Sequence, residues 1–211
     1  MAERRLAVGV VMKKRTLAGG LVAAALALIV ASGANATVMI EYSLEELVRS
    51  SDVIVHATVT HSDVRMELRE GGMEPQTVTT LRVQDWIAGG ESVDGDTVTL
   101  RELGGIWNGG GLWYSGTPHY TVGEEVVVFL ERRPEAPHDL RTFGMAQGKF
   151  VVGHGVGTVP STVRRDLDGI SFARWSEGQQ TVTHPGQEPE MQLDVFVEYV
   201  RQIRASYGGG R

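Results

Sequence analysis

The alternation of apolar and polar positions is clearest from Asp52 to Thr60, Asp-Val-Ile-Val-His-Ala-Thr-Val-Thr. Val53, Val55, Ala57 and Val59 fall on one face at a period of two, and β-branched residues dominate, which predicts a strand. Just ahead of it, Ser43-Leu44-Glu45-Glu46 has the spacing of a capping box, so a short helix should feed that strand. Ser62 to Glu74 is polar and charged with Gly71-Gly72 inside it, and reads as a ragged hairpin connection. A second strand follows from Thr77 to Ile87, with Thr79, Leu81 and Val83 on one face. A third runs from Thr97 to Leu103, with Val98 and Leu100 opposite Thr97 and Thr99.

From Gly104 to Gly116 the glycine density breaks every periodicity. Val122-Gly123-Glu124-Glu125 then reads as a turn into Val126 to Leu130, a run apolar on both faces and therefore a central strand, closed by Pro134 and Pro137. Thr142 to Val152 should return as one or two strands, and Ile170 to Trp175 adds an edge strand. Glu177 to Gln187 is polar, ends near His184-Pro185-Gly186, and reads as a linker. Beyond Pro189, the residues Leu193, Phe196, Val197, Val200 and Ile203 recur at helical spacing, with Glu198 and Arg201 placed to pair on the wet side. Short strands at close spacing, with one helix in front and one behind, indicate a mostly β fold, an antiparallel barrel or sandwich. The expected organisation is a body over residues 37–175, a linker over 176–188 and a C-terminal amphipathic helix over 189–207.

Composition adds an address. Lys13, Lys14 and Arg15 precede an apolar run from Leu21 to Ala31, and Ala34-Asn35-Ala36 matches a cleavage site, so residues 1–36 read as a secretory signal peptide. Met12 stands directly before Lys13 and would give a signal of ordinary length, which leaves residues 1–11 open as leader or misassigned start. The apolar run is shorter than the ~20 residues that span a bilayer, so no membrane segment is expected after cleavage. Thr37 becomes the mature N-terminus, and the destination is the periplasm or the outside of the cell. The whole chain carries a formal charge of −6. The leader holds five of its basic residues and one acidic residue, so residues 37–211 are more acidic, at about −10. Such a field repels nucleic acid. The absence of cysteine removes disulfides, thiol catalysis and Cys-ligated zinc.

Four runs in order carry a resemblance: Ser51-Asp52-Val53-Ile54-Val55-His56-Ala57-Thr58-Val59, Thr80-Leu81-Arg82-Val83-Gln84-Asp85-Trp86-Ile87-Ala88-Gly89, Val122-Gly123-Glu124-Glu125-Val126-Val127-Val128-Phe129-Leu130 and Gly148-Lys149-Phe150. Together they resemble the netrin-like (NTR) domain of tissue inhibitors of metalloproteinases, over roughly Thr37 to Val152. The resemblance implies a small antiparallel OB-like barrel with flanking helices, and a secreted metalloprotease as partner. It further implies that the α-amino group and first carbonyl of Thr37 chelate the protease zinc while Val38 fills a specificity pocket. The family pins that N-terminus with disulfides, which this chain lacks.

Read from the residues alone, Trp107, Trp113 and Tyr114 on the glycine-rich loop are the best partner-binding candidates, since large aromatics bury much area at little entropic cost. The competing role for these rings is to cover an open end of the barrel. The histidines are scattered, with His56 and His61 on opposite faces of a regular strand, so no metal site or cofactor is expected. Glu124 and Glu125 read as solvated turn charges, and Gly153-His154-Gly155-Val156-Gly157 as a turn. No H-E-x-x-H, G-x-S-x-G, Walker A or S-x-x-K signature is present, so the chain reads as a binding protein and not an enzyme. The alternative is an exported hydrolase or carbohydrate-binding protein using residues 104–116.

Overall fold

A computed structural model describes residues 37–69, 71–134, 136–168, 170–176, 179–185 and 188–208. The leader assigned to residues 1–36 lies outside them. In chain order the elements are β1 (Thr37–Ile40), α1 (Leu44–Ser50), β2 (Val53–Arg69), β3 (Gly72–Ala88), β4 (Thr97–Leu103), β5 (Gly105–Trp107) and β6 (Gly110–Leu112). They continue as β7 (Glu125–Arg133), β8 (Ala136–Thr142), β9 (Lys149–Gly153), β10 (Thr162–Arg165), β11 (Ile170–Ser176), β12 (Gln179–Thr183), β13 (Met191–Gln192) and α2 (Leu193–Gly208). The capping box forms as the spacing requires: Glu46 N–H donates to Ser43 Oγ at 3.2 Å and Ser43 N–H to the Glu46 carboxylate at 2.8 Å. These bonds hold the Glu46 carboxyl below its ordinary pKa.

The main sheet has eight strands in the order β13-β10-β9-β7-β2-β3-β4-β8, with a further pairing of β7 to β8. β2 and β7 sit at its centre, and the period-two pattern decides what each face meets. Val53, Val55, Ala57 and Val59 of β2 join Val126, Val128 and Leu130 of β7 in one apolar cluster, with Leu81, Leu100 and Leu140. Ile54, Val127 and Phe129 point the other way, into a second cluster with Leu47 and Val48 of α1 and Phe196, Val197, Val200 and Ile203 of α2. Val126 through Leu130 are wholly buried, as a strand apolar on both faces must be. Phe129, Phe150 and Phe196 form a tilted ring cluster with centroids 4.6 to 6.4 Å apart. Arg204 of α2 donates to the carbonyls of Val48 and Ser51, filling acceptors that the C-terminus of α1 leaves open.

The expected small antiparallel OB-like barrel is not what forms. Among the described residues the fold is a mixed, β-dominated one with two α-helices. β1 lies parallel on β11, and β4 lies parallel on β8 through the single pair Leu100↔Leu140. β9, β10 and β13 carry the sheet outward past β7 to an open end. The physical reason closure stops at one pair is visible beside it. Thr142 N–H donates 2.7 Å to the side chain of Glu102, so a carboxyl takes the acceptor role that a neighbouring strand's carbonyl plays in a continued ladder.

The amino-terminal segment is also paired in this fold. A wedge needs Thr37 and its neighbours free to enter a cleft, whereas Thr37 to Ile40 are paired from Thr37↔Ile170 to Ile40↔Ala173 as a sheet strand. Other segments are also more ordered than their polarity implied. Ser62 to Glu74 is no ragged connection, because β2 and β3 stay paired out to Arg69↔Gly72 as a long arm. Ile170 to Ser176 is the middle strand of the sheet β1-β11-β12, not an edge. Gln179–Thr183, inside the stretch read as a linker, is its third strand. Pro137 lies within β8 instead of ending β7. On α2, Arg201 pairs with Asp85 at 2.7 Å and Glu198 accepts from Gln202, in place of the expected Glu198–Arg201 pair. No helix among the described residues is long and apolar enough to cross a membrane.

Candidate functional site

The glycine-rich stretch folds into a two-stranded ribbon, β5 against β6, from Gly105↔Leu112 to Trp107↔Gly110. Its turn is Asn108-Gly109, with φ of 48° and 81°. Both values are positive, as a two-residue hairpin whose twist matches its strands requires. Gly105 is demanded by packing: at φ 143°, a Cβ there would stand 2.7 Å from a Val64 methyl, where the ribbon crosses the β2–β3 arm.

The ribbon and the two residues after it present large apolar side chains to solvent. Ile106 is 59% exposed, Trp107 44%, Leu112 37%, Trp113 56% and Tyr114 37%. The rings do not fold back as a cover for the sheet. Trp113 stands with its indole Nε1 3.0 Å from where a Gly111 Cβ would be, and meets the His119 ring edge-on at 4.9 Å between centroids. Gly110 and Gly111 leave the backbone of β6 bare of side chains, and β6 pairs with β5 alone among the described strands, so one row of its amides and carbonyls faces outward.

Beside the aromatic patch lies a charged cluster, and here too an expectation is corrected. Glu124 and Glu125 are not solvated turn charges. Glu124 pairs with Lys149 at 2.7 Å, and Lys149 Nζ also donates to the carbonyl of His119. Glu125 meets His56 Nε2 at 2.6 Å and His154 Nε2 at 3.4 Å. Both carboxylates are largely shielded, at 19% and 15% side-chain exposure. No group of three or more metal-ligating side chains occurs among the described residues.

Thr37 and Val38 are elsewhere. Val38 shares the outer row of β1 with Ile40, while Met39 turns inward against Leu167, Ile170 and Phe172. They belong to the three-stranded sheet and the aromatics to the ribbon, so the sequence-derived candidates do not converge into one site. The loop does reach β1 at one point, since a Cβ on Gly116 would stand 2.6 Å from the Met39 sulfur. Sequence reasoning missed Ile106 and Leu112 as members of the patch. The signal was available in Asn108-Gly109, flanked on both sides by apolar residues, which is a strong short-range hairpin signature. The chain matches no family model and no curated protein.

Proposed function

We propose that this is an exported binding module that recognises an extended segment of a partner protein along the β5–β6 ribbon. The observation that carries the reading is the exposure of Ile106, Trp107, Leu112, Trp113 and Tyr114 on one short ribbon. Exposed apolar area of that density, edged by the Glu124–Lys149 pair, is characteristic of a recognition surface. The bare outer edge of β6 favours an extended peptide. A third strand added there gains main-chain hydrogen bonds, and the flanking rings supply pockets for alternate side chains. The acidic balance of residues 37–211 favours a partner segment carrying Lys or Arg.

The test is selection from a displayed library of random 12-residue peptides against the full chain, with the double variant Trp107→Ala, Trp113→Ala as counter-target. Peptides that bind the wild type and lose roughly tenfold or more on the variant support the reading. A library that yields no binder, or binders indifferent to both substitutions, sinks it. Binding of an immobilised glycan with the same dependence on Trp113 would transfer the site to carbohydrate.

A further inference from the structure

Where β4 and β8 part after Leu100↔Leu140, the chain leaves a cavity of about 540 Å³. Residues immediately past that pair on both strands line it, Arg101, Glu102 and Leu103 on one side and Arg141 and Thr142 on the other. One wall is apolar, built from Met39, Ile40, Tyr42, Phe143 and Met145. The lining also carries Arg69, Arg101, Arg133 and Arg141 with two carboxyls, Glu102 and Glu131. A volume in this range with one apolar wall and a few convergent polar groups suits a small ligand.

The polar wall is pre-set. Arg141 Nε is held by Glu131 at 2.7 Å. Arg101 pairs with Glu67, and its Nε lies 2.8 Å from Asp139 but out of line for a hydrogen bond. A guanidinium has five N–H donors, so these pairs orient Arg101 and Arg141 without exhausting them. The Thr117 hydroxyl, also on the cavity wall, is buried with no partner among the described residues. Glu102 is 6% exposed. Its Oε1 accepts from Thr142 N–H at 2.7 Å and Thr142 Oγ1 at 2.6 Å, and that hydroxyl in turn meets Tyr120 Oη at 2.6 Å.

We propose that this cavity binds a small amphipathic monocarboxylate, with its carboxylate held between Arg101, Arg141 and the Glu102 carboxyl and its apolar body against Met39, Tyr42, Phe143 and Met145. The N–H donors that Arg101 and Arg141 keep beyond their ion pairs favour an anion over an amine. Glu102 fits as a proton-sharing partner. Burial raises its pKa to about 7, the two Thr142 bonds and Arg141 oppose the rise, and Glu131 adds to it. A neutral Glu102 donates a hydrogen bond to a bound carboxylate, whereas an ionised one repels it. Binding is therefore full below neutrality and weakens as pH rises through about 7. The site is separate from the ribbon, and its test does not depend on the peptide reading.

The experiment is isothermal titration of the full chain with hexanoate and with hexylamine at pH 6 and pH 8. Hexanoate should bind at pH 6 and lose roughly tenfold in affinity by pH 8, with hexylamine weaker at both. Glu102→Gln keeps an acceptor for Thr142 and cannot ionise, so its hexanoate affinity should not change between the two pH values. Arg141→Ala, at a partly exposed position, should weaken hexanoate about tenfold while leaving the fold intact by near-ultraviolet circular dichroism. Hexylamine binding as tight as hexanoate, no heat from hexanoate up to about 10 mM, or a pH slope retained in Glu102→Gln would each overturn the proposal.

Discussion

The centre of the main sheet and the ribbon beside it obey opposite rules. In β7, five consecutive side chains from Val126 to Leu130 are sealed from water. Across β5, β6 and the residues that follow, five large apolar side chains stand in it. The difference lies in what each apolar group has to meet. Val127 and Phe129 find α1 and α2 on one side, while Val126, Val128 and Leu130 find β2, β4 and β8 on the other. The ribbon packs through Gly105 onto the β2–β3 arm and leaves its large side chains between about a third and two thirds exposed. Equal hydrophobicity therefore means structure in one place and recognition in the other.

Mutation separates the two regions, and the largest effect belongs to the centre. Phe129→Ala removes the ring that Phe150 and Phe196 pack on and should cost about 3–5 kcal/mol in urea unfolding. Retention of wild-type stability would show that the two helices do not depend on this face of the sheet.

Glu102 lies between the extremes, buried like the core yet ionisable like the surface. Its folded pKa of about 7 lies above its ordinary 4.5, so the fold binds the proton more tightly than the unfolded chain does. The stability it contributes is full below about 4.5 and is lost as pH rises through about 7. Glu102→Gln should thus be the more stable protein at pH 8, by on the order of 3 kcal/mol, with the gap closing toward pH 4. Urea midpoints at both pH values check the sign.

Ser43→Ala removes one half of the capping box and should cost about 1 kcal/mol, seen as a lowered unfolding midpoint. The smallest effect is expected on the ribbon. Trp107→Ala with Trp113→Ala should shift stability by less than about 0.5 kcal/mol while abolishing peptide binding. A large loss of stability there would assign the rings to the core and erase the contrast.

How much of this could be read from the sequence follows the same divide. The face shared by Val53, Val55, Ala57 and Val59, the two-sided burial of β7, the capping box and the stripe on α2 were legible, because each is a repeat fixed by backbone geometry. The β2–β3 arm was not, since a paired arm exposed on one face and only half-buried on the other has the composition of a loop. Leu68, in the arm, is 80% exposed although its backbone is in register with Met73. The incomplete closure was hidden for another reason: it turns on one carboxyl reaching one amide, Glu102 to Thr142, 40 residues apart. Parity did hold a clue, because Glu102 shares its row with Val98 and Leu100 and was therefore bound to face inward.

Two elements at the start of the described chain are finished by residues near its end. Among the described residues β1 pairs with Ile170 to Ala173 alone, and the last carbonyls of α1 receive the guanidinium of Arg204. A polypeptide that emerges amino end first therefore cannot complete its opening strand or seal its first helix until nearly all of it has been delivered. Such an arrangement makes its final turns the latch of the fold.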